Sequence, residues 1–204
     1  LDLSIKTEIQ HLLKTLHSSF HPTTLCVTHD FEEAYFLADQ ITIFMDGEVK
    51  QVGEKEEVFL RPKSRNVAQF LGARNLYRAK IVRSEEHHHQ WILEVNGLQF
   101  SIPISVQRGK MEVGKEVDLF IRPDEVMIVR EGKPVKDSLK RNIFEGQILD
   151  ITDRGRYHMV NFQTLEGKIP FEISIPNYAF RNLNLSAGRR TKVALREESL
   201  WVMP

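Results

Sequence analysis

The sequence has a single cysteine, no long apolar run and no net charge, and each of these absences excludes a class of protein. Cys26 alone cannot form a disulfide within a chain of 204 residues, so the fold must depend on a hydrophobic core. No apolar run approaches the roughly 20 residues that span a bilayer, and we see no signal-peptide pattern. The 28 basic residues balance 28 acidic ones, which gives no electrostatic attraction to nucleic acid or to an anionic membrane.

The first 71 residues alternate between helical and extended patterns. Apolar residues from Leu3 to Phe20 recur at helical spacing, which predicts an amphipathic helix that ends before Pro22. Residues 24–28 are expected to form a short buried strand in which Cys26 is a small buried hydrophobe. This part of the chain is therefore predicted to have α/β character.

A polar Thr-His-Asp turn follows that strand and leads directly into a second helix. Asp30 with Glu33 resembles a capping box that opens a helix at Phe31. The later patterns predict a hairpin of residues 41–45 and 48–52 around Asp46-Gly47, and short helices at 54–60 and 65–71.

From Gly72 the chain consists mostly of short β-type runs and contains an internal repeat. The repeat opens with Arg-Asn in both copies and closes with an apolar strand. The matching segments are 74–82 with 141–149, 117–122 with 191–196, and the closing strands 126–129 with 200–202, joined by a linker at 131–138.

The Thr-His-Asp turn resembles a segment of the ATPase subunits of ATP-binding-cassette (ABC) importers, in which it carries the switch histidine. The match reads Val27-Thr28-His29-Asp30, Glu33-Ala34 and Leu37-Ala38-Asp39, and continues through 46–49, 51–53, Pro62 and 67–72. It implies that His29 contacts the γ-phosphate of ATP in the parent enzyme, and that Asp2 belongs to the D-loop at the interface between two ATPase subunits.

The motifs that precede the D-loop in that family do not occur in this sequence. There is no G-x-x-x-x-G-K-[ST] loop to hold phosphates, no signature motif and no acidic residue ending an upstream apolar strand. Together with the first residue being leucine, this leads us to expect the C-terminal part of such a subunit. ATP and Mg²⁺ would be bound by the intact parent, and we expect no ATP hydrolysis from this chain alone.

The repeated part resembles the tandem oligonucleotide/oligosaccharide-binding (OB) modules, of the TOBE or Mop type, that follow such ATPases. The expected fold is thus an α/β remnant of an ABC ATPase core followed by an all-β tandem OB-fold domain. The expected boundaries are 1–71 for the nucleotide-binding remnant, 72–132 for the first repeat, 133–140 for the linker and 141–204 for the second repeat.

The Arg-Asn openings are similar to those of molybdate-binding repeats, which implies an oxyanion site. Its candidate residues are Arg74, Asn75, Ser138, Lys140, Arg141 and Asn142. The family's opening Ser-Ala-Arg-Asn is incomplete here, because Ser138 lies one residue too early and the first copy has Gly72 instead. The alternative is that Arg74 and Arg141 serve barrel packing and salt bridges alone.

Two further features have simpler structural explanations. His87, His88 and His89 are expected to form a solvated hairpin tip and no metal site, because consecutive side chains point in different directions. Tyr77 and Phe144 occupy equivalent positions on apolar faces, so we expect them in the core and predict no nucleic-acid binding.

The resemblance implies the ATP-hydrolysing subunit of an importer, for an oxyanion such as molybdate or tungstate, with a regulatory β domain. The implied partners are a membrane permease, a second ATPase subunit and, indirectly, a periplasmic or extracellular substrate-binding protein, and the place is the cytoplasmic side of the membrane. The alternatives are a stand-alone oxyanion sensor, a truncated product with only a scaffold or dimerising role, or an ATPase subunit for a sugar, polyamine, iron or sulfate.

Overall fold

A computed structural model of the protein describes residues 3–104, 111–130, 132, 134–136 and 139–203. They divide into two compact units, Leu1–Lys63 and Ser64–Pro204. We expected a boundary after residue 71, whereas the short helix at Arg65–Phe70 belongs to the second unit. The reason is apolar packing, since the fully buried Ala68 on this helix contacts Phe120 and Met203.

The described part of the first unit contains three helices and a two-stranded antiparallel sheet. In chain order these are α1 (Leu3–Phe20), α2 (Phe31–Leu37), β1 (Gln40–Met45), β2 (Glu48–Glu54) and α3 (Lys55–Leu60). The predicted helix ending at Phe20, the helix beginning at Phe31 and the hairpin are confirmed. Asp46 and Gly47 both have positive φ, 52° and 78°, which is the geometry of a two-residue hairpin turn.

The predicted buried strand at residues 24–28 is not formed. This segment has no regular structure, Leu25 and Val27 are each 92% exposed, and Cys26 is exposed as well. A strand is stabilised by hydrogen bonds to a neighbouring strand, and no strand among the described residues pairs with this segment. The prediction of a buried Cys26 is wrong for the same reason.

The second unit begins with α4 (Arg65–Phe70) and continues as two β repeats. The first repeat contains β3 (Asn75–Glu85), β4 (Gln90–Val95), β5 (Leu98–Pro103), β6 (Glu116–Ile121) and β7 (Val126–Ile128). The second contains β8 (Ile143–Asp153), β9 (Tyr157–Thr164), β10 (Pro170–Pro176), the short helix α5 (Asn177–Phe180), β11 (Arg190–Leu195) and β12 (Trp201–Met203).

The two repeats exchange their last strands. One five-stranded sheet has the order β12-β6-β3-β4-β5 and the other has the order β10-β9-β8-β11-β7. The last strand of the first repeat therefore pairs antiparallel with β11 of the second, and the last strand of the second pairs with β6 of the first. The sequence predicts these terminal strands but not the sheet that each one joins.

One hydrophobic core among the described residues contains side chains from both repeats. Four aromatic rings run through it, with centroid distances of 5.5 Å from Tyr77 to Phe171, 6.3 Å from Phe171 to Phe144 and 4.7 Å from Phe144 to Phe100. Phe144 belongs to this core, as expected, whereas Tyr77 is partly buried and packs against it. Gly146 lets β8 approach this core, since a Cβ there would lie 2.2 Å from the Phe162 ring.

Candidate functional site

The Thr-His-Asp turn, residues 28–30, is held by side-chain hydrogen bonds on both sides of His29. The Asp30 carboxylate caps α2 by accepting hydrogen bonds from the backbone N–H of Glu32 at 2.9 Å and of Glu33 at 3.1 Å. In a full capping box Glu33 would accept from the N–H of Asp30. Here the Thr28 hydroxyl accepts that bond at 3.0 Å and donates to the Glu33 carboxylate at 2.5 Å.

Helix α1 stabilises the charged form of this turn. Lys6 Nζ donates to the Asp30 carboxylate, and Gln10 Nε2 lies 3.4 Å from Glu33 Oε1. The hydrogen bond from Lys6 lowers the pKa of Asp30, and that bond in turn raises the pKa of Lys6. The hydroxyl of Thr28 lowers the pKa of Glu33. Both carboxylates are thus ionised at neutral pH, which favours the cap.

His29 itself is exposed, and its imidazole forms no hydrogen bond with any described residue. The imidazole of His29 lies on a turn that is fixed by hydrogen bonds, and its ring N–H can donate a hydrogen bond to an oxygen that binds there, including a phosphate oxygen. The other residue predicted for this site, Asp2, lies outside the described residues.

The asparagines of the two Arg-Asn openings join the repeats to each other. The carboxamide of Asn75 donates to the backbone C=O of Glu172 at 2.8 Å and accepts from its N–H at 2.7 Å. The carboxamide of Asn142 makes the same pair of bonds with the backbone of Ser101, both at 2.8 Å. Each asparagine therefore pairs with the edge strand of the other repeat, β10 or β5, as a neighbouring strand would.

Both asparagines are almost completely buried, at 1% and 0% exposure for Asn75 and Asn142. Their carboxamides already form these bonds, so at either opening the side chain left to bind a ligand is the arginine and not the asparagine. The hydroxyl of Tyr77 reinforces the first contact by donating to the backbone C=O of Pro170 at 2.5 Å. Burial, together with the charge of Glu172, raises the pKa of Tyr77, which keeps this donor protonated.

The two arginines have different surroundings. Arg74 is exposed, and its side chain forms no hydrogen bond or ion pair with any described residue. Arg141 donates to Oε1 of Gln90 and lies 3.9 Å from a carboxylate oxygen of both Glu85 and Glu197. The first opening thus presents an unpaired cation, and the second holds a cation between two carboxylates.

Gln90 connects Arg141 with Glu197, and it is only 6% exposed. Its Oε1 also accepts from the Ser101 hydroxyl at 2.5 Å, and its Nε2 donates to Glu197 at 2.6 Å. Burial raises the pKa of Glu197, and Arg141 and Gln90 partly oppose this effect. Sequence reasoning did not find Gln90 or Glu197, because neither belongs to a motif. Gln90 lies 51 residues from Arg141 and 107 residues from Glu197 along the chain.

The remaining predicted residues lie elsewhere. Lys140 is exposed beside Arg141, and Ser138 is outside the described residues. His87 to His89 are exposed at the hairpin tip between β3 and β4. In the described part of the chain, no group of three or more histidine, cysteine or acidic side chains is arranged to hold a metal ion. No helix among those residues is long and apolar enough to cross a bilayer.

No family model matches the chain, but curated proteins do. It is 32% identical over 202 residues to a molybdate/tungstate import ATP-binding protein of Pyrococcus abyssi, which covers 99% of this chain and 53% of that protein. It is 31% identical over 186 residues to a spermidine/putrescine import ATP-binding protein of Trichormus variabilis, covering 90% of this chain and 46% of that protein. The chain spans about half the length of the curated relatives it matches.

A solved structure shares the fold of much of the chain. The cytoplasmic molybdate-binding protein ModG, solved with molybdate bound, superimposes with a TM-score of 0.54 at 17% identity. The match covers 65% of this chain and 97% of that chain. At this identity the likeness concerns the fold alone, and it supports a mostly β architecture.

Proposed function

We propose that the chain is the C-terminal portion of an ATP-binding subunit of an ABC importer. Nearly its whole length is similar to about half the length of such subunits. The observation that carries the proposal is the 32% identity across 99% of the chain, which spans both units. In this assignment residues 1–71 are the end of the α/β nucleotide-binding domain, and the β repeats are its regulatory domain.

The chain supplies one part of an ATP site. His29 is the switch residue that contacts the γ-phosphate, and the network of Lys6, Thr28, Asp30 and Glu33 fixes the turn that carries it. An exposed imidazole that bonds to no described residue fits this role, because it must respond to a phosphate oxygen that binds and leaves. The phosphate loop and the residues that hold Mg²⁺ are not in this sequence.

The partners follow from the same assignment. Two ATPase subunits would close on ATP and drive a membrane permease from the cytoplasmic side, and a substrate-binding protein would deliver the cargo to that permease. We propose an oxyanion, molybdate or tungstate, as the cargo, supported by the import relatives from Pyrococcus and by the ModG-like fold of the β repeats. A polyamine is the second candidate, supported by the spermidine/putrescine relatives.

A chimera tests the ATPase assignment. The matching half of the Pyrococcus abyssi protein is replaced by this chain, and ATP hydrolysis is measured for the chimera and for the chain alone. We expect turnover from the chimera, its loss in His29→Ala, and no turnover from the chain alone. His88→Ala, which removes an equally exposed imidazole in the second unit, is the control. Full activity of the His29→Ala chimera would contradict the assignment.

Calorimetric titration of the purified chain tests the cargo. Tungstate, molybdate, sulfate and spermidine are titrated at one fixed salt concentration. Binding of tungstate and molybdate at micromolar concentration, with weak sulfate binding, supports a sensing domain for oxyanions. Binding of spermidine alone would replace the oxyanion by a polyamine, and no heat with any of the four would make the β repeats a spacer without a ligand.

A further inference from the structure

A turn and a short helix of the second repeat lie side by side at one end of its sheet. The turn, residues 154–157, joins β8 to β9, and α5 follows directly after β10. Tyr157 at the end of the turn pairs with Pro176, the last residue of β10. The side-chain amide of Asn177 on α5 donates to the backbone C=O of Gly155 at 2.6 Å. The turn and α5 therefore form one continuous surface.

Arginine and tyrosine supply most of the exposed side chains of this surface. Tyr178 is 76% exposed and Tyr157 is 37% exposed, although an aromatic ring gains from burial. The arginine side chains are exposed too, and they form no hydrogen bond or ion pair with any residue that the structure describes. We call the following five residues the Arg-Tyr surface: Arg154, Arg156, Tyr157, Tyr178 and Arg181.

The Arg-Tyr surface is positively charged. Its three arginines outweigh Asp153, the carboxylate at the end of β8, and no acidic residue occurs in residues 173–196. The next carboxylates, Asp150 and Glu172, both pair with Asn161, about 13 Å along β9 from the turn. That separation exceeds the Debye length of about 10 Å at 0.1 M salt, so these two carboxylates screen the arginines weakly.

The equivalent turn of the first repeat has a different chemistry. Both turns lie between a last pair of strand residues, Glu85 with Gln90 and Asp153 with His158, and have the same length. The first turn reads Glu-His-His-His and the second reads Arg-Gly-Arg-Tyr. The shape of the turn therefore does not require arginine or tyrosine, which indicates a role for these side chains at the surface.

We propose that the Arg-Tyr surface binds a short acidic segment of another protein, with carboxylates on the arginines and an apolar side chain on Tyr178. A guanidinium binds a carboxylate through two parallel hydrogen bonds. Arginine and tyrosine are enriched at protein interfaces, whereas lysine and glutamate are depleted there. The turn, α5 and Arg181 contain neither lysine nor glutamate.

Two further observations support this partner. The bond from Asn177 and the stacking of His158 on Phe180, with ring centroids 3.7 Å apart, hold the surface in one conformation before a partner binds, which lowers the entropic cost of binding. The balanced charge of the whole chain favours a protein segment over a nucleic acid. The inference is independent of the importer assignment, because it uses only the geometry and charge of this surface.

Fluorescence anisotropy with the full chain tests the proposal. The probe is a fluorescein-labelled peptide that repeats Glu-Glu-Leu four times, and its matched peptide has glutamine in place of every glutamate. At low salt the acidic peptide should bind more tightly than the glutamine peptide. The triple variant Arg154→Gln, Arg156→Gln, Arg181→Gln should weaken that binding about 10-fold, since each exposed ion pair contributes roughly two- to fivefold. Tyr178→Ala should weaken it about fivefold.

Arg130→Ala is the matched control. Arg130 is an exposed arginine after β7, which lies at the opposite edge of the same sheet from β10, and its removal should change the affinity by less than about twofold. Tryptophan fluorescence verifies that each variant is folded, because Trp91 and Trp201 both lie in the second unit.

Three results would overturn the proposal. The first is that the wild-type chain binds neither peptide or binds both equally. The second is that the triple variant binds the acidic peptide as tightly as Arg130→Ala does. The third is that single-stranded oligothymidylate binds more tightly than the acidic peptide and loses affinity in the triple variant, which would assign the surface to nucleic acid instead.

Discussion

The cross-repeat asparagine contacts lead to a quantitative prediction for Asn142→Ala. The substitution removes two hydrogen bonds of 2.8 Å and leaves the N–H and C=O of Ser101 without partners, in a residue that is only 5% exposed. An unsatisfied buried backbone group costs about 1–3 kcal/mol. Two groups would cost about 2–6 kcal/mol, and because β5 is an edge strand that water can reach after the truncation, we expect about 3 kcal/mol.

Urea unfolding followed by tryptophan fluorescence measures this loss. Trp91 and Trp201 both lie in the second unit, so the signal reports that unit and not residues 3–63. With a urea m-value of about 2 kcal/mol/M, a loss of about 3 kcal/mol lowers the midpoint by about 1.5 M. Asn75→Ala should give a shift of the same order, because its two bonds to Glu172 have the same geometry.

Two further variants separate the hydrogen bonds from side-chain loss in general. Asn182→Ala removes an exposed asparagine with one hydrogen bond to Tyr178, and should change stability by less than about 0.5 kcal/mol. Asn142→Asp keeps the shape but cannot donate to Ser101 and buries a charge, so it should be at least as destabilising as Asn142→Ala. If Asn142→Ala and Asn75→Ala both behaved like Asn182→Ala, the claim that these contacts hold the repeats together would be refuted.

Three other predictions concern packing, local stability and pH. Gly146→Ala should lower stability by about 2 kcal/mol or more in the same urea assay, since its new Cβ would lie 2.2 Å from the Phe162 ring, and an unchanged midpoint would contradict the packing. Hydrogen exchange should show weaker protection in residues 3–53 than in residues 72–203, because the first unit has a small sheet and an exposed apolar segment, and uniform protection would disprove this. Burial raises the pKa of Glu197, so the Glu197 carboxyl favours the folded state at low pH, and this contribution is lost as pH rises through the folded pKa. The stability of Glu197→Gln minus that of wild type should therefore be larger at pH 7 than at pH 4. An equal difference at the two pH values would argue against this.

Sequence patterns that involve only neighbouring residues predicted the local structure correctly at several places. Helix α1 follows from apolar spacing that ends before Pro22, and the β1–β2 hairpin follows from Asp46-Gly47, because turn geometry depends on the residues in the turn itself. The repeat was visible as well, since each copy begins with Arg-Asn and a β-type run. The sequence also located the capped turn that carries His29, whose hydrogen bonds join residues within five positions of one another.

The segment 24–28 shows where a local pattern was insufficient. Its apolar residues are typical of a buried strand, yet burial requires a surface to pack on and pairing requires another strand. Neither requirement is a property of the segment itself. Leu25 and Val27 are exposed for that reason, although their residue types favour the interior.

By itself, the sequence determined helix α1, the β1–β2 hairpin, the duplication and the turn that carries His29, because each depends on residues that are neighbours along the chain. Only the tertiary structure decided that the repeats exchange strands, that Asn75 and Asn142 bond to opposite edges, and that Glu197 neutralises one arginine of the pair. These features join residues that are up to 107 positions apart. Their partners are chosen by which edges and buried groups remain unsatisfied once the sheets have formed.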